Sequence, residues 1–322
     1  MSRAAGTAMI LLTALLFALS LLLPWRDLAA LFSGDRQLGW AVLVQLRLPR
    51  ALLALTYGAM LGASGAAIQA LFANPLASPD LTGTTSGAAL GAVVSAYTLA
   101  FASPLALSIG AVAGAFGALL LLLALAGPRA ETATLLLAGL AISALAGALT
   151  TLALALAPSP FAFYDAYEWL MGSLVDRSFD QALFALLPSI AATALLLRQM
   201  PALDGLTLGE DTAAAMGYDV RRTRLWVVCW SAVGVGSCVA ICGAIGFIGL
   251  VAPVFARRLT RGHAGRALIP AAIIGAALLL AADLVVRWAP LGRTLPIGVV
   301  TALLGAPFFL WLVARMRWTL QS

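Results

Sequence analysis

The chain has 322 residues, 62% of them hydrophobic and only 10% charged, with a mean hydropathy of +1.02. Soluble domains carry about 25% charged residues, so this composition excludes one and points to an integral membrane protein. The apolar runs are long and unbroken, which excludes barrel strands alternating at period two and leaves an all-α membrane fold in a single transmembrane domain, 1–322.

The net charge of +6 comes from arginines that flank apolar spans, as topology signals do; no nucleic-acid partner is expected. All 19 basic residues are arginine. A phosphate-binding loop of the G-x-x-x-x-G-K-[ST] type is therefore excluded, and if the protein runs on ATP, another subunit must hydrolyse it. His263 is the sole histidine, and Cys229, Cys238 and Cys242 share one apolar segment without metal-ligating neighbours. No metal site is expected.

In chain order, residues 8–24 form the first apolar run, preceded by Arg3. The run is long for a signal-peptide core and no small-x-small cleavage site follows, so a retained helix is expected. A polar stretch over 25–37 leads to a second span, 51–72, after Arg47-Leu48-Pro49-Arg50 and before the break at Asn74-Pro75. Spans at 84–102, 105–126 and 135–157 follow, the last two separated by the Gly127-Pro128-Arg129 turn. Residues 158–180 are polar and aromatic, with a short helix expected around 164–171. The sixth span is 182–197 and the seventh 225–245. Residues 246–258, broken by glycines and Pro253, read as a short or partly re-entrant eighth segment. Spans at 267–286 and 295–314 complete ten transmembrane helices, one of them short or broken.

Ten spans put both termini on one side. With the N-terminus inside, twelve arginines are cytoplasmic and seven face out, and this bias supports cytoplasmic termini of a multi-pass protein. Gly58 and Gly62, Gly83, Gly87 and Gly91, and Gly110 and Gly114 have spacings that allow close helix packing in lipid. Asp283 precedes Arg287 by four residues, so the two can pair on one helical face. An ionisable residue within a span is also a functional candidate.

Residues 204–224 are the longest polar interruption and carry seven of the 32 charges. Glu210 and Asp211 suit the start of a helix, Ala213 to Met216 its body, and Gly217 the left-handed position past its end. Asp219 can cap a second short turn leading to Arg221, Arg222 and Arg224. A helical knob of mixed charge, with an Ala/Met face, suits docking in another protein's groove.

Four stretches carry a resemblance: RLPRALLALTYGAMLGASGAAIQ from Arg47 with NPLASPD from Asn74, TLGEDTAAAMG from Thr207, GAIGFIGLVAP from Gly243, and LPIGVVTALLGAPF from Leu295. Together they resemble the FecCD family of ABC-importer permeases, which includes vitamin B12, haem and ferric-siderophore permeases. The resemblance covers nearly the whole chain. It implies a type II ABC-importer permease fold in the bacterial inner membrane, a second permease copy, two ATP-binding cassette subunits and a periplasmic substrate-binding protein. No cofactor is implied in this chain, with ATP and Mg held on the partner ATPase. It implies that Leu208, Gly209, Glu210, Asp211, Ala213, Met216 and Gly217 form the ATPase-coupling helices. Arg47, Arg50 and Arg287 look like the family's arginines that receive acidic residues of the binding protein. Thr132 and Thr134, the polar residues of the turn at 127–134, correspond to a cytoplasmic gate.

Two departures stand out. Val254 follows Pro253 where the family has histidine, and Thr294 precedes Leu295-Pro296 where the family has an acid. The implied function is the permease of an ABC importer for an iron chelate, with ferric siderophore favoured over haem or corrinoid. The competing reading is an ion-gradient-driven secondary transporter, for which Asp283 is a thin supply of intramembrane carboxylates.

Overall fold

A computed structural model describes residues 3–98, 104–127, 132–288 and 295–321. Its regular structure is helical throughout the described residues. Among the described residues, seven helices are long and apolar enough to cross a bilayer: α1 (Arg3–Leu22), α4 (Leu48–Leu71) with the turns before it, α6 (Pro104–Ala126), α7 (Thr132–Ala155), α9 (Phe179–Leu197), α12 (Val220–Cys242) and α14 (Leu268–Trp288). Shorter apolar stretches cover the other three expected spans among the described residues. They are α5 (Thr84–Thr98), α13 (Ile248–Leu259) and the apolar part of α15 (Ile297–Gln321).

Irregular backbone precedes both α5 and α13 inside the bundle. Such backbone is tolerated at membrane depth only where protein satisfies its polar groups. Before α5, Thr82 donates its hydroxyl to Pro79 O at 2.8 Å and Ser143 of α7 donates to Asp80 O at 3.2 Å. Before α13, the buried Tyr57 hydroxyl donates to Gly243 O at 3.2 Å and accepts from Ile245 N at 3.4 Å. The Gln69 side-chain amide donates to Leu250 O at 3.3 Å. Helix α4 thus holds the break before α13 from within the core, through the buried side chains of Tyr57 and Gln69.

Close backbone approach explains the glycine spacings. A Cβ on Gly58 would collide with the backbone of Gly275, and one on Gly62 with that of Ala271, so α4 and α14 touch backbone to backbone. Gly87 and Gly91 of α5 meet Gly114 and Gly110 of α6 in the same way. The core then fills with Leu53, Tyr57, Met60, Ile68, Leu279 and Leu280, each buried.

Residues 25–47 differ from the polar stretch and later span that the sequence suggests. They form α2 (Trp25–Gly34), α3 (Arg36–Ala41) and a π turn (Val42–Arg47) that runs without a break into α4. Asp35 caps α3, accepting from Gln37 N at 2.8 Å and Leu38 N at 3.3 Å. Pro49 does not end this helix. The π turn, in which Leu48 N reaches back to Leu43 O, shifts the register just where proline removes a donor. The aromatic segment after α7 forms α8 (Pro160–Leu170), capped by Ser159, in place of the shorter helix expected around 164–171.

Candidate functional site

Helices α9 and α12 are joined at one end of the bundle by α10 (Met200–Leu206) and α11 (Glu210–Ala215). These two short helices and their flanking turns make up the polar knob. Gly209, with φ +103°, turns the chain between them, a conformation that a side chain disfavours. Gly217, with φ +87°, ends α11. There Tyr218 N donates to Ala213 O at 3.1 Å and Gly217 N to Ala214 O at 2.9 Å, the paired bonds of a Schellman cap. Asp219 then accepts from Arg222 N at 2.9 Å. The sequence placed a second short turn at Asp219, whereas Asp219 starts the long α12, so the turn between the two short helices belongs to Gly209 and not Gly217.

The knob is tied down on two sides. The Asp204 carboxylate of α10 accepts from Gly265 N at 2.8 Å and Arg266 N at 3.4 Å, just ahead of α14. Arg224 of α12 pairs with Glu210 at 2.6 Å, its own side chain only 9% exposed. The knob is therefore joined to α9 and α12 by the chain and to the segment before α14 by Asp204. Sequence reasoning counted Asp204 as one charge among seven. Its partner lies 61 positions away, so no local signal could have found it.

Burial divides the expected docking residues. Leu208 is 64% exposed and Met216 is 55% exposed, and Glu210 and Asp211 are exposed beside them. Ala213 is different: it is fully buried, against Gly205 and Tyr218. It packs toward α10 and is not available to a docking partner, whereas Met216, the C-cap residue past the end of α11, is exposed.

At the opposite end, the three expected docking arginines are engaged within the chain. Arg50 pairs with Asp283 at 2.8 Å and Arg287 pairs with it at 2.7 Å, so the i,i+4 pair on α14 forms as its spacing suggests. The Asp283 side chain is 1% exposed, that of Arg287 9% and that of Arg50 18%. Arg287 also donates to Ser20 O at 2.6 Å. Arg47 donates to Leu21 O at 3.0 Å and Leu23 O at 3.2 Å, satisfying carbonyls at the end of α1. The picture of freely exposed arginines is thereby corrected: these three clamp α1, α4 and α14 together, and the exposed basic residues nearby are Arg26 and Arg36. A buried carboxylate recruits guanidinium groups because leaving either charge unpaired costs several kcal/mol.

Of the expected gate, Thr132 opens α7 with its side chain outside the described residues, and Thr134 is exposed one position after Ala133. The turn at 128–131 lies outside the described residues, as does Thr294. Val254 is half-buried on α13.

The sequence profile of the FecCD transport family matches residues 7–315. The chain is 37% identical to the Fe(3+) dicitrate transport system permease protein FecD of Escherichia coli, over 91% of each chain. It is 39% identical to the vitamin B12 import system permease protein BtuC of Vibrio cholerae, over 88% of this chain and 84% of that one. A solved structure of an ABC transporter of metal-chelate type, in an inward-facing conformation, superposes with a TM-score of 0.86 at 30% identity, covering 98% of this chain and all of the other. The match runs through the breaks before α5 and α13, the knob and the final helix, and on this evidence the chain belongs to the FecCD transport family of ABC-transporter permeases.

Proposed function

We propose that this chain is the transmembrane subunit of a binding-protein-dependent importer that moves an iron chelate into the cytoplasm, powered by ATP hydrolysis on two separate subunits. The knob carries the reading. It is compact, joined to three bundle helices, and presents Leu208 and Met216 to a partner. With no lysine for a Walker motif, the driving force must enter through such a contact. The names of the relatives, ferric dicitrate and vitamin B12 permeases, support a metal chelate as cargo. A ferric siderophore is favoured, with haem and corrinoid as alternatives.

In this reading ATP and Mg are held by the partner ATPases, and a second permease copy completes the pathway. Thr132 and Thr134 form its cytoplasmic gate. The periplasmic binding protein docks at the end where Arg47 and Arg50 come near the surface, beside Arg26 and Arg36. A gradient-driven mechanism fits less well, because both oxygens of Asp283 face arginines and the carboxylate is committed to structure. The test is substitution of the exposed pair. Leu208→Arg with Met216→Arg is expected to leave the permease inserted but to abolish ATPase co-purification and uptake of a labelled ferric chelate. Normal ATPase stoichiometry and uptake in that variant refute the assignment.

A further inference from the structure

Two cavities lie along α9 and α12, one where these helices meet the knob and one deeper in the bundle. At the knob end, Arg198, Gln199, Tyr218, Arg222 and Trp226 border an open polar cavity of about 350 Å³. Arg198 and Arg222 are both exposed, and neither guanidinium has an ion pair among the described residues. The one acid at this cavity, Asp219, is directed at the Arg222 backbone N–H as the cap of α12. The cavity is therefore a basic notch at the boundary between the bundle and its polar end.

Deeper along the same two helices runs an apolar groove. Helix α12 forms its floor at Ala232 and Gly236, with Phe116 of α6 on one side and Phe184 and Pro188 of α9 on the other. Its two lobes, of about 290 and 370 Å³, share Val112, Phe184 and Ser237 and so are continuous. Small residues on the floor at Ala232 and Gly236 leave this space open.

Notch and groove are connected. Trp226, Trp230, Val233 and Ser237 recur at helical spacing and line one stripe of α12. Trp226 and Trp230 stack with centroids 5.6 Å apart, between the notch and the groove. The rise from Trp226 to Ser237 is about 16 Å, close to the thickness of one leaflet of a hydrocarbon core roughly 30 Å across. Tryptophans at the interface, cations just beyond them and an apolar channel below match the parts of a phospholipid in order.

We propose that the seam between α9 and α12 binds one anionic phospholipid, its phosphate between Arg198 and Arg222 and one acyl chain in the groove floored by Ala232 and Gly236. Guanidinium groups recognise phosphate oxygens by paired N–H donors, and the groove supplies the apolar complement for the chain. The site lies on the two helices that carry α10 and α11, so a bound lipid clamps the arms of the knob. Binding itself does not depend on the coupling reading.

The experiment is native mass spectrometry of the full-length permease released from bilayers of phosphatidylglycerol and phosphatidylcholine. The wild-type chain is expected to retain phosphatidylglycerol over phosphatidylcholine, with excess inorganic phosphate leaving it in place. R198Q combined with R222Q is expected to lower that retention roughly thirtyfold, the effect of two surface cations at the usual strength of each. V233W, which fills the groove from its open side while keeping both arginines, is expected to lower it as well. Equal retention of the two lipids by the wild type, displacement by inorganic phosphate, or unchanged retention in either variant overturns the site.

Discussion

At the scale of single residues, Asp283 is the most consequential group that the ATPase reading does not use. Its carboxylate is buried between Arg50 and Arg287, and Arg287 is itself tied to Ser20 of α1. Removing one partner of a buried pair leaves an uncompensated charge at a cost of about 3–5 kcal/mol. Asp283→Ala is therefore expected to lower the melting temperature of purified permease markedly, whereas Arg36→Ala on the exposed surface of the same end leaves it unchanged. Equal melting temperatures for the two variants would show that the cluster adds no stability. The reversal Arg50→Glu sets two acids side by side at Asp283, so its effect on binding-protein docking is readable only in a variant first shown to fold. Gly217 is the other single position with a defined conformational demand. A β-branched residue in its left-handed conformation costs roughly 1–2 kcal/mol, so Gly217→Val is expected to loosen the cap of α11 and reduce transport, measured as chelate uptake at matched expression.

At the scale of elements, the knob behaves as one small packed unit. Leu203 and Ala213 are buried within it, Gly205 gives room to Tyr218 and Ala213, and Asp204 anchors it to the segment before α14. This separates two kinds of substitution. Ala213→Arg forces a long cation into the contact between α10 and α11 and is expected to expose residues 198–219 to limited proteolysis. Leu208→Arg alters only the surface and is expected to leave the cleavage pattern of the wild type while still releasing the ATPase. An identical proteolytic pattern for both variants would contradict the buried place of Ala213. Loss of Asp204 acts between elements. Asp204→Ala removes the acceptor for Gly265 N and Arg266 N, and leaving donors unpaired costs about 1–3 kcal/mol. The expected readout is ATPase activity that persists but no longer drives uptake, because the knob keeps its docking surface and loses its link to α14.

At the scale of the whole molecule, the helices alternate in direction so that α10, α11 and the segment before α14 share one end while Arg50, Asp283 and Arg287 share the other. We propose, from the arginine bias, that the knob end is cytoplasmic. Thr212 is exposed on α11, and the native thiols Cys238 and Cys242 are buried, so Thr212→Cys in a Cys229→Ser background reports topology cleanly. An impermeant thiol reagent is expected to label it in inverted vesicles and not in intact cells; labelling in intact cells reverses the orientation of the chain.

The helical class and the place of the polar knob were legible in the amino-acid sequence because each rests on local patterning: apolar runs of bilayer length, glycines at packing intervals, and helix-terminal residues at Glu210, Gly217 and Asp219; the family was legible from the resemblance of four motif stretches. Composition and periodicity carry that information over a few turns of chain. Neither carries the partner of a side chain across the bundle. Which arginines are free and which are bound was decided by tertiary structure, since Arg50 meets Asp283 over a separation of 233 positions. The inward turn of Ala213 was likewise set by the packing of α10 on α11, and the uninterrupted helix through Pro49 by a register shift that no residue type announces. Local preference determines that helices form and where they end; burial of charge and backbone contact between distant helices determine which of their faces remain available for function.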